Sequence, residues 1–283
     1  MKLYENLYEN GVYTGERALY AQKNAKIKNS IFEDGESPLK ESSCLCVESC
    51  TFRWKYPMWY CDTVSVKDCV LETTARSGIW YTNNITMNNC KIDAPKTFRR
   101  SNGITLVDTD LKNALETMWY CKDVSVKNAR IVGDYFGLSC ENFYGEGINL
   151  DGNYFLDGAK NVVVKSSVLN SKDSFWNCEN VEVYDSVIIG EYIGWNSKNV
   201  KLVNCKIESN QGFCYMENLE MINCVLENTD LAFEYSSVNA DINSHVDSIK
   251  NVSSGKISAL SVGEIIMQEE FVEVSKTEIT IKK

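Results

Sequence analysis

The sequence predicts an all-β chain wound as a single-stranded, right-handed parallel β-helix, a solenoid of about eleven to twelve rungs of 19–21 residues. Three observations predict it. A short polar residue precedes an apolar-x-apolar triplet at Asn161 (NVVV), Asn180 (NVEV), Asn199 (NVKL) and Asn218 (NLEM), and the steps 180−161, 199−180 and 218−199 are all nineteen. The same register runs back through Asn142, Asp123, Gly103, Asn84, Thr63, Cys44 and Asn24 in steps of 19 to 21. Eight places after each of these anchors stands Phe32, Phe52, Leu71, Ile92, Leu111, Ile131, Leu150, Leu169, Ile188, Ile207 or Leu226, a column that is apolar throughout and therefore belongs to a core.

Each element of a rung has its own signature. Val162 and Val164, Val181 and Val183, Val200 and Leu202, Leu219 and Met221 alternate at period two, which makes a strand with one buried face. Five places after the anchor come Asn29, Ser49, Asp68, Asn89, Asp108, Asn128, Gly147, Ser166, Asp185, Asn204 and Asn223, small turn-formers that mark a corner. No stretch carries a 3.6-residue period, so the rung reads as three short strands and three turns. Parallel crossovers are right-handed, and a rung spacing of about 4.8 Å implies a rod on the order of 50 Å. Residues 1–283 are read as one domain, with a cap over 1–20, regular rungs over 21–235, and irregular last rungs with a C-terminal cap over 236–283. Tyr4 to Tyr20 is expected to cover the open edge of the first rung.

A formal charge of −10 argues against a nucleic-acid partner, and no apolar run is long enough for a signal peptide or a membrane span. A cytoplasmic location is expected, and with it twelve free cysteine thiols. No CxxC pair occurs and His245 is the only imidazole, so neither a metal nor another cofactor is expected. Cys50, Cys69, Cys90, Cys205 and Cys224 share a column with Ser167, Ser186 and Ala129, while Cys61, Cys121, Cys140 and Cys178 share another with Thr82, Ser197 and Ala159. Both columns select small side chains, as a cramped interior corner would. Just before the anchor, Lys122, Glu141, Lys160, Glu179, Lys198 and Glu217 alternate in sign, an arrangement that avoids like charges on stacked strands.

The repeated tetrapeptide MWYC, at Met58–Cys61 and Met118–Cys121, occupies one position on different rungs. Trp59, Trp80, Trp119, Trp176 and Trp195 form a column, flanked by Tyr60, Tyr81, Tyr120 and Tyr215 on one side and by Met58, Ile79, Phe98, Met118, Leu156, Phe175 and Phe213 on the other. Neighbouring strand residues point to opposite faces, so one of these strips lies outside. An exposed strip is covered by a terminal segment or a second subunit, or it binds a ligand. Flat rings spaced along a rod suit the apolar faces of sugars. The candidate ligand-binding residues are therefore Trp59, Trp80, Trp119, Trp176, Trp195, Tyr60, Tyr81 and Tyr120. Arg99 and Arg100 interrupt the strip, and Asp134, Glu146, Asp151 and Asp157 interrupt the apolar pattern further on. Arg99, Arg100, Asp134, Asp151 and Asp157 are the candidates if the chain is a catalyst or holds an acidic sugar. Constant rung length argues against enclosing loops, and hence against catalysis.

The NVxVxxCxL rungs and the Asn/Asp corner column, over about residues 20 to 250, resemble the pectin-lyase-like superfamily of parallel β-helices. The stretches YENGVYTGERALY and DSIKNVSSGKISA resemble a bacterial family within it that is described only as a domain of unknown function. The resemblance implies carbohydrate chemistry, by lyases with an Arg or Lys base and calcium or by hydrolases with aspartate pairs. The chain lacks the compact aspartate motifs of those hydrolases, so no catalytic residue is carried over. Three functions follow as expectations: carbohydrate binding along the aromatic strip; a polysaccharide lyase or glycoside hydrolase of this fold; or a non-enzymatic scaffold that self-associates through the strip, with an acidic DNA mimic as a remote variant.

Overall fold

The computed structural model describes residues 4–283. By internal packing the chain divides into two compact units, Met1–Asn142 and Phe143–Lys283. In both, the named strands pair in parallel with the strand one turn on, so the chain is an all-β parallel solenoid.

In the first unit one ladder runs through Asn6–Glu9, Ala25–Lys28, Ser43–Glu48, Asp62–Lys67, Asn83–Asn88, Asn102–Val107 and Lys122–Lys127. The register is that of the sequence columns: Ile85 pairs with Val64 on one side and Ile104 on the other, and all three are buried. A second ladder stacks Tyr13, Phe32, Phe52, Leu71, Ile92, Leu111 and Ile131. The rings of Phe32 and Phe52 lie 4.7 Å apart and are almost parallel. Each such fully buried side chain contributes about 1.5–3 kcal/mol, and the column repeats that gain on every turn.

The second unit follows the same plan. Lys160–Lys165, Glu179–Tyr184, Lys198–Val203, Glu217–Asp230, Ser237–Ile242, Ser254–Ala259 and Thr277–Ile281 form one ladder. Val162, Val181, Val200, Leu219 and Val238 are in register and face inward. Leu150, Leu169, Ile188, Ile207 and Leu226 stack beside them in the second ladder.

The corners explain the composition. All eleven anchors, from Asn24 (φ 48°) to Asn218 (φ 62°), and all eleven residues five places later, from Asn29 (φ 50°) to Asn223 (φ 53°), are in the left-handed region. Asn, Asp and Gly tolerate that region best, and two of the positions are Gly103 and Gly147. Asn and Asp also bond from turn to turn. Asn180, Asn199 and Asn218 each donate Nδ2–H to the side-chain oxygen one turn back, at 2.9–3.0 Å, in a row that starts on Asn161.

The small interior columns have a polar reason as well as a steric one. The Sγ of Cys61, Cys140 and Cys178 donates to the carbonyls of Leu39, Met118 and Leu156, one turn back, at 3.1, 2.9 and 2.9 Å. Thr82 and Ser197 make the same bond with their hydroxyls, to Met58 and Phe175. A short side chain with one donor thus satisfies a buried carbonyl at the turn. The alternating charges pair as expected, Lys122 with Glu141 at 2.6 Å, Lys160 with Glu179 at 3.0 Å and Lys198 with Glu217 at 2.9 Å.

Two expectations are corrected. The segment expected as an N-terminal cap is itself a turn of the ladder, because Asn6–Glu9 pairs with Ala25–Lys28 and Tyr13 stacks on Phe32 at 5.1 Å. The residues beyond 236 stay parallel but leave the nineteen-residue step, Ser237 pairing with Ser254 and Gly255 with Thr277, with a short 3₁₀ turn, Val274–Lys276, before the last strand. Among the described residues the third side of the rung pairs as strand at Ile79–Trp80 and Phe98–Arg99, with isolated bridges from Arg99 to Trp119 and from Ala232 to Ile249. Elsewhere left-handed residues such as Met118, Leu156 and Phe175 break the extended backbone there.

Candidate aromatic binding site

The MWYC strand resolves into an inner and an outer face. Met58, Ile79, Phe98 and Met118 in the first unit, and Leu156, Phe175 and Phe213 in the second, are fully buried. The tryptophans beside them lie outside the core and are half-buried. The next residue turns the corner, so Tyr60 (φ 55°), Tyr81, Tyr120 and Tyr215 stand at the surface, 38–49% exposed.

In the first unit the outer rings lie on one another. Trp59 and Trp80 are stacked at 5.2 Å and 7°, and Tyr60 and Tyr81 at 4.9 Å and 6°. Arg99 takes the place of a tryptophan, its guanidinium 4.7 Å from the Trp80 ring and 4.5 Å from the Trp119 ring. Arg100 covers Tyr120 at 5.3 Å. The indole N–H groups of Trp59, Trp80 and Trp119 donate to the carbonyls of Ser77, Lys96 and Tyr135 at 2.6–2.9 Å. In this unit Trp59, Trp80, Trp119, Tyr60, Tyr81 and Tyr120 therefore each have at least one face covered, by the ring or the guanidinium of a neighbouring turn.

The second unit differs by one residue per turn. Where the first unit reads Trp-Tyr, at 59–60, 80–81 and 119–120, the second reads Trp-Asn, at 176–177 and 195–196. Loss of the two tyrosine rings opens a surface groove of about 300 Å³ lined by Trp176, Asn177, Trp195, Asn196 and Tyr215. Its rings are tilted: Trp176 against Trp195 at 6.0 Å and 33°, Trp195 against Tyr215 at 4.7 Å and 48°. Asn177 donates to Asp157 Oδ1 and Asn196 to Asn177 Oδ1, both at 2.9 Å. The row ends there, so Asn196 Oδ1 has no donor among the described residues. Trp176 Nε1 donates to the Tyr192 carbonyl at 2.7 Å, whereas Trp195 Nε1 has no partner among the described residues. Burial, with Glu234 and Tyr235 nearby, raises the Tyr215 phenol, which is neutral at pH 7. The groove therefore offers aromatic surface, a free donor and a free acceptor. The tryptophan column includes Trp176 and Trp195 as candidates, whereas Asn177 and Asn196 are not among the candidates read from the sequence. Their signal is the change from Tyr to Asn after Trp.

The charged candidates are dispersed. The ion-pair partner of Arg99 is Glu116, at 3.6 Å. Asp151 and Asp157 each anchor an amide row, accepting from Asn170 at 3.0 Å and from Asn177 at 2.9 Å. Among the described residues no group of three or more His, Cys, Asp or Glu could hold a metal ion, and no helix is long and apolar enough to cross a membrane.

No curated protein matches the sequence. Among solved structures the chain is similar to QnrB1, a plasmid-mediated fluoroquinolone resistance protein, at 16% identity over 69% of this chain and 93% of that one, TM-score 0.35. It is also similar to the A-module of the Azotobacter vinelandii mannuronan C-5 epimerase AlgE4, at 10% identity over 99% and 91%, TM-score 0.33. A third is the tailspike protein of E. coli bacteriophage HK620 in complex with hexasaccharide, at 12% identity over 92% and 60%, TM-score 0.36. Residues 6–280 match one family along almost the whole sequence, and the chain belongs to that family, described as Protein of unknown function (DUF3737).

Proposed function

We propose that the protein binds carbohydrate, without cleaving it, in the groove formed by Trp176, Trp195, Tyr215, Asn177 and Asn196. The observation that carries this reading is the pairing of tilted aromatic faces with an unpartnered indole N–H on Trp195 and an unpartnered amide oxygen on Asn196. A sugar ring has an apolar C–H face and a rim of hydroxyls that both donate and accept, and it matches such a surface on both counts. The open shape favours binding over hydrolysis, since nothing encloses a reacting bond from water. A glycan array on the whole chain identifies the ligand. Trp195→Ala and Asn196→Ala are expected to lower affinity at least tenfold while the thermal midpoint moves by only a few degrees. Equal glycan binding by the parent and both variants, or no glycan bound at all, overturns the reading.

A further inference from the structure

The last turn leaves part of the core uncovered. Val262 and Ile265 stand in register on Val246 and Ile249, and Ile279 and Ile281 on Ile257 and Ala259. The residues one turn back are fully buried, whereas Ile265 is 51% and Ile281 53% exposed. Among the described residues Thr277–Ile281 pairs with Ser254–Ala259 on one edge and with no strand on the other. Lys282 N–H donates to the Ala259 carbonyl at 2.9 Å. Successive residues of a strand turn their backbone groups to opposite edges, so the N–H and C=O groups of Ile279 and Ile281 face the open side. An edge that is apolar on one face and lined with unmet backbone groups is a template for another strand.

The strand that fits this edge is its own copy. Run antiparallel to itself about Thr280, the stretch Thr277 to Lys282 sets Ile279 against the partner's Ile281 and Glu278 against the partner's Lys282. In that register inward side chains meet inward side chains, opposite charges meet, and Ile279 and Ile281 exchange their outward hydrogen bonds. Centring the pair on Ile279 would put Lys276 against the partner's Lys282, and a slip by one residue would turn the isoleucines outward. Glu278 and Lys282 already bond one turn back, to Lys256 at 3.1 Å and to Asp241 at 2.5 Å, so the charges select the register while apolar and backbone contacts hold it. The first turn offers no such match. Its inward positions are Asn6, Tyr8 and Tyr13, and the Tyr8 hydroxyl donates to Gln22 Oε1 at 2.7 Å. A head-to-tail stack would therefore lay amide and hydroxyl groups on isoleucine. We propose that two copies of the chain join by their last turns, Thr277–Ile281 pairing antiparallel across a two-fold axis and covering the open core of each. This surface uses none of the residues of the aromatic strip or of the groove at Trp195.

Sedimentation equilibrium of the whole chain is expected to give twice the mass of one chain. Ile281→Lys, which puts a charge at the centre of the pairing, is expected to give a monomer with unchanged circular dichroism. Glu278→Lys sets two ammonium groups against each other across the axis and Lys282→Glu sets two carboxylates, so each alone is expected to weaken the dimer by about tenfold. An equimolar mixture of those two variants brings opposite charges together again and is expected to recover the dimer. That recovery separates the interface from an effect on Lys256 or Asp241 within one chain, which mixing leaves unchanged. A monomer at every concentration, assemblies that grow beyond two chains, a dimer that survives Ile281→Lys, or a mixture no more associated than its components each overturns the proposal.

Discussion

The indole rings of Trp59 and Trp80, twenty-one residues apart in sequence (80−59), lie 5.2 Å apart and within 7° of parallel. Trp80 is held on its other face by Arg99 and at its nitrogen by the Lys96 carbonyl, at 2.9 Å. The outer strip of the first unit is thus a continuous column in which each ring depends on both neighbours.

Truncating the middle of that column should therefore cost more than truncating its rim. Trp80→Ala is expected to destabilise the protein by about 2–4 kcal/mol, near the range for large aromatic deletions. Tyr60→Ala, which removes a ring that is 49% exposed, stacked on Tyr81 and covered by the Lys40 ammonium, should cost about 1 kcal/mol. Urea unfolding of both variants checks the order, and an equal loss would mean that the indoles are not a mechanical column.

The thiols should be silent in the native state. Burial pushes Cys61, Cys121 and Cys178 up to about 12 and Cys214 up to about 11, and it holds Cys140 well above the usual thiol range. Cys50 and Cys224 move the other way because each bonds to a neighbouring thiol, Cys69 and Cys205, but both are buried and out of reach of reagent. Cys44 alone among the twelve is not fully buried. With iodoacetamide at pH 8, mass spectrometry is expected to find Cys44 modified first and the other eleven only after unfolding.

Acid should weaken the fold through its stacked ion pairs. Glu48 accepts from Lys26 at 2.9 Å, and that bond holds its carboxyl below the ordinary value. Its stabilising contribution is present above the unfolded pKa of about 4.3 and is lost as pH falls through the folded value. The bond to Glu48 raises Lys26, whose contribution is present below about 10.4 and is lost as pH rises through its folded value. Asp62 is held low by Asn84 and Thr63, and Asp241 by Lys282, so both add to the acid limb. The thermal midpoint is expected to be flat from about pH 5 to 9 and to fall below about pH 4. Glu48→Gln should lower the plateau and shallow the acid limb, whereas an unchanged limb would mean that this pair does not contribute.

Much of the molecule was legible because stacking converts sequence period into vertical contact. Once Asn180 and Asn199 are aligned, Val181 over Val200, Glu179 over Lys198 and Ile188 over Ile207 follow without coordinates. What the period does not carry is torsion about the side chain. It places Trp59 over Trp80 but leaves open whether the rings lie face to face or splay, and hence whether they are platform or pillar. That depends on χ2 and on the hydrogen bonds of Trp59 to Ser77 and of Trp80 to Lys96. The first turn escaped notice for a different reason: Tyr13 on Phe32 is a single apolar contact, too little to register as a column, yet enough when the backbone already offers an edge to join.

The left-handed corners have a consequence for how such a chain changes length. Every circuit bends at equivalent residues, and each meets its neighbour above through the same atoms that it offers below. Removing Asn180 to Lys198 would bring Asn199 directly onto Asn161 with Val200 on Val162, Leu202 on Val164 and amide on amide, whereas deleting a single amino acid from Glu179–Tyr184 would turn its valines to the solvent. The strand ladders keep their register when whole coils are gained or lost, while one or two extra residues, as between Thr63 and Asn84, are taken up elsewhere in the rung, so the larger gains and losses of residues should come in quanta of about nineteen.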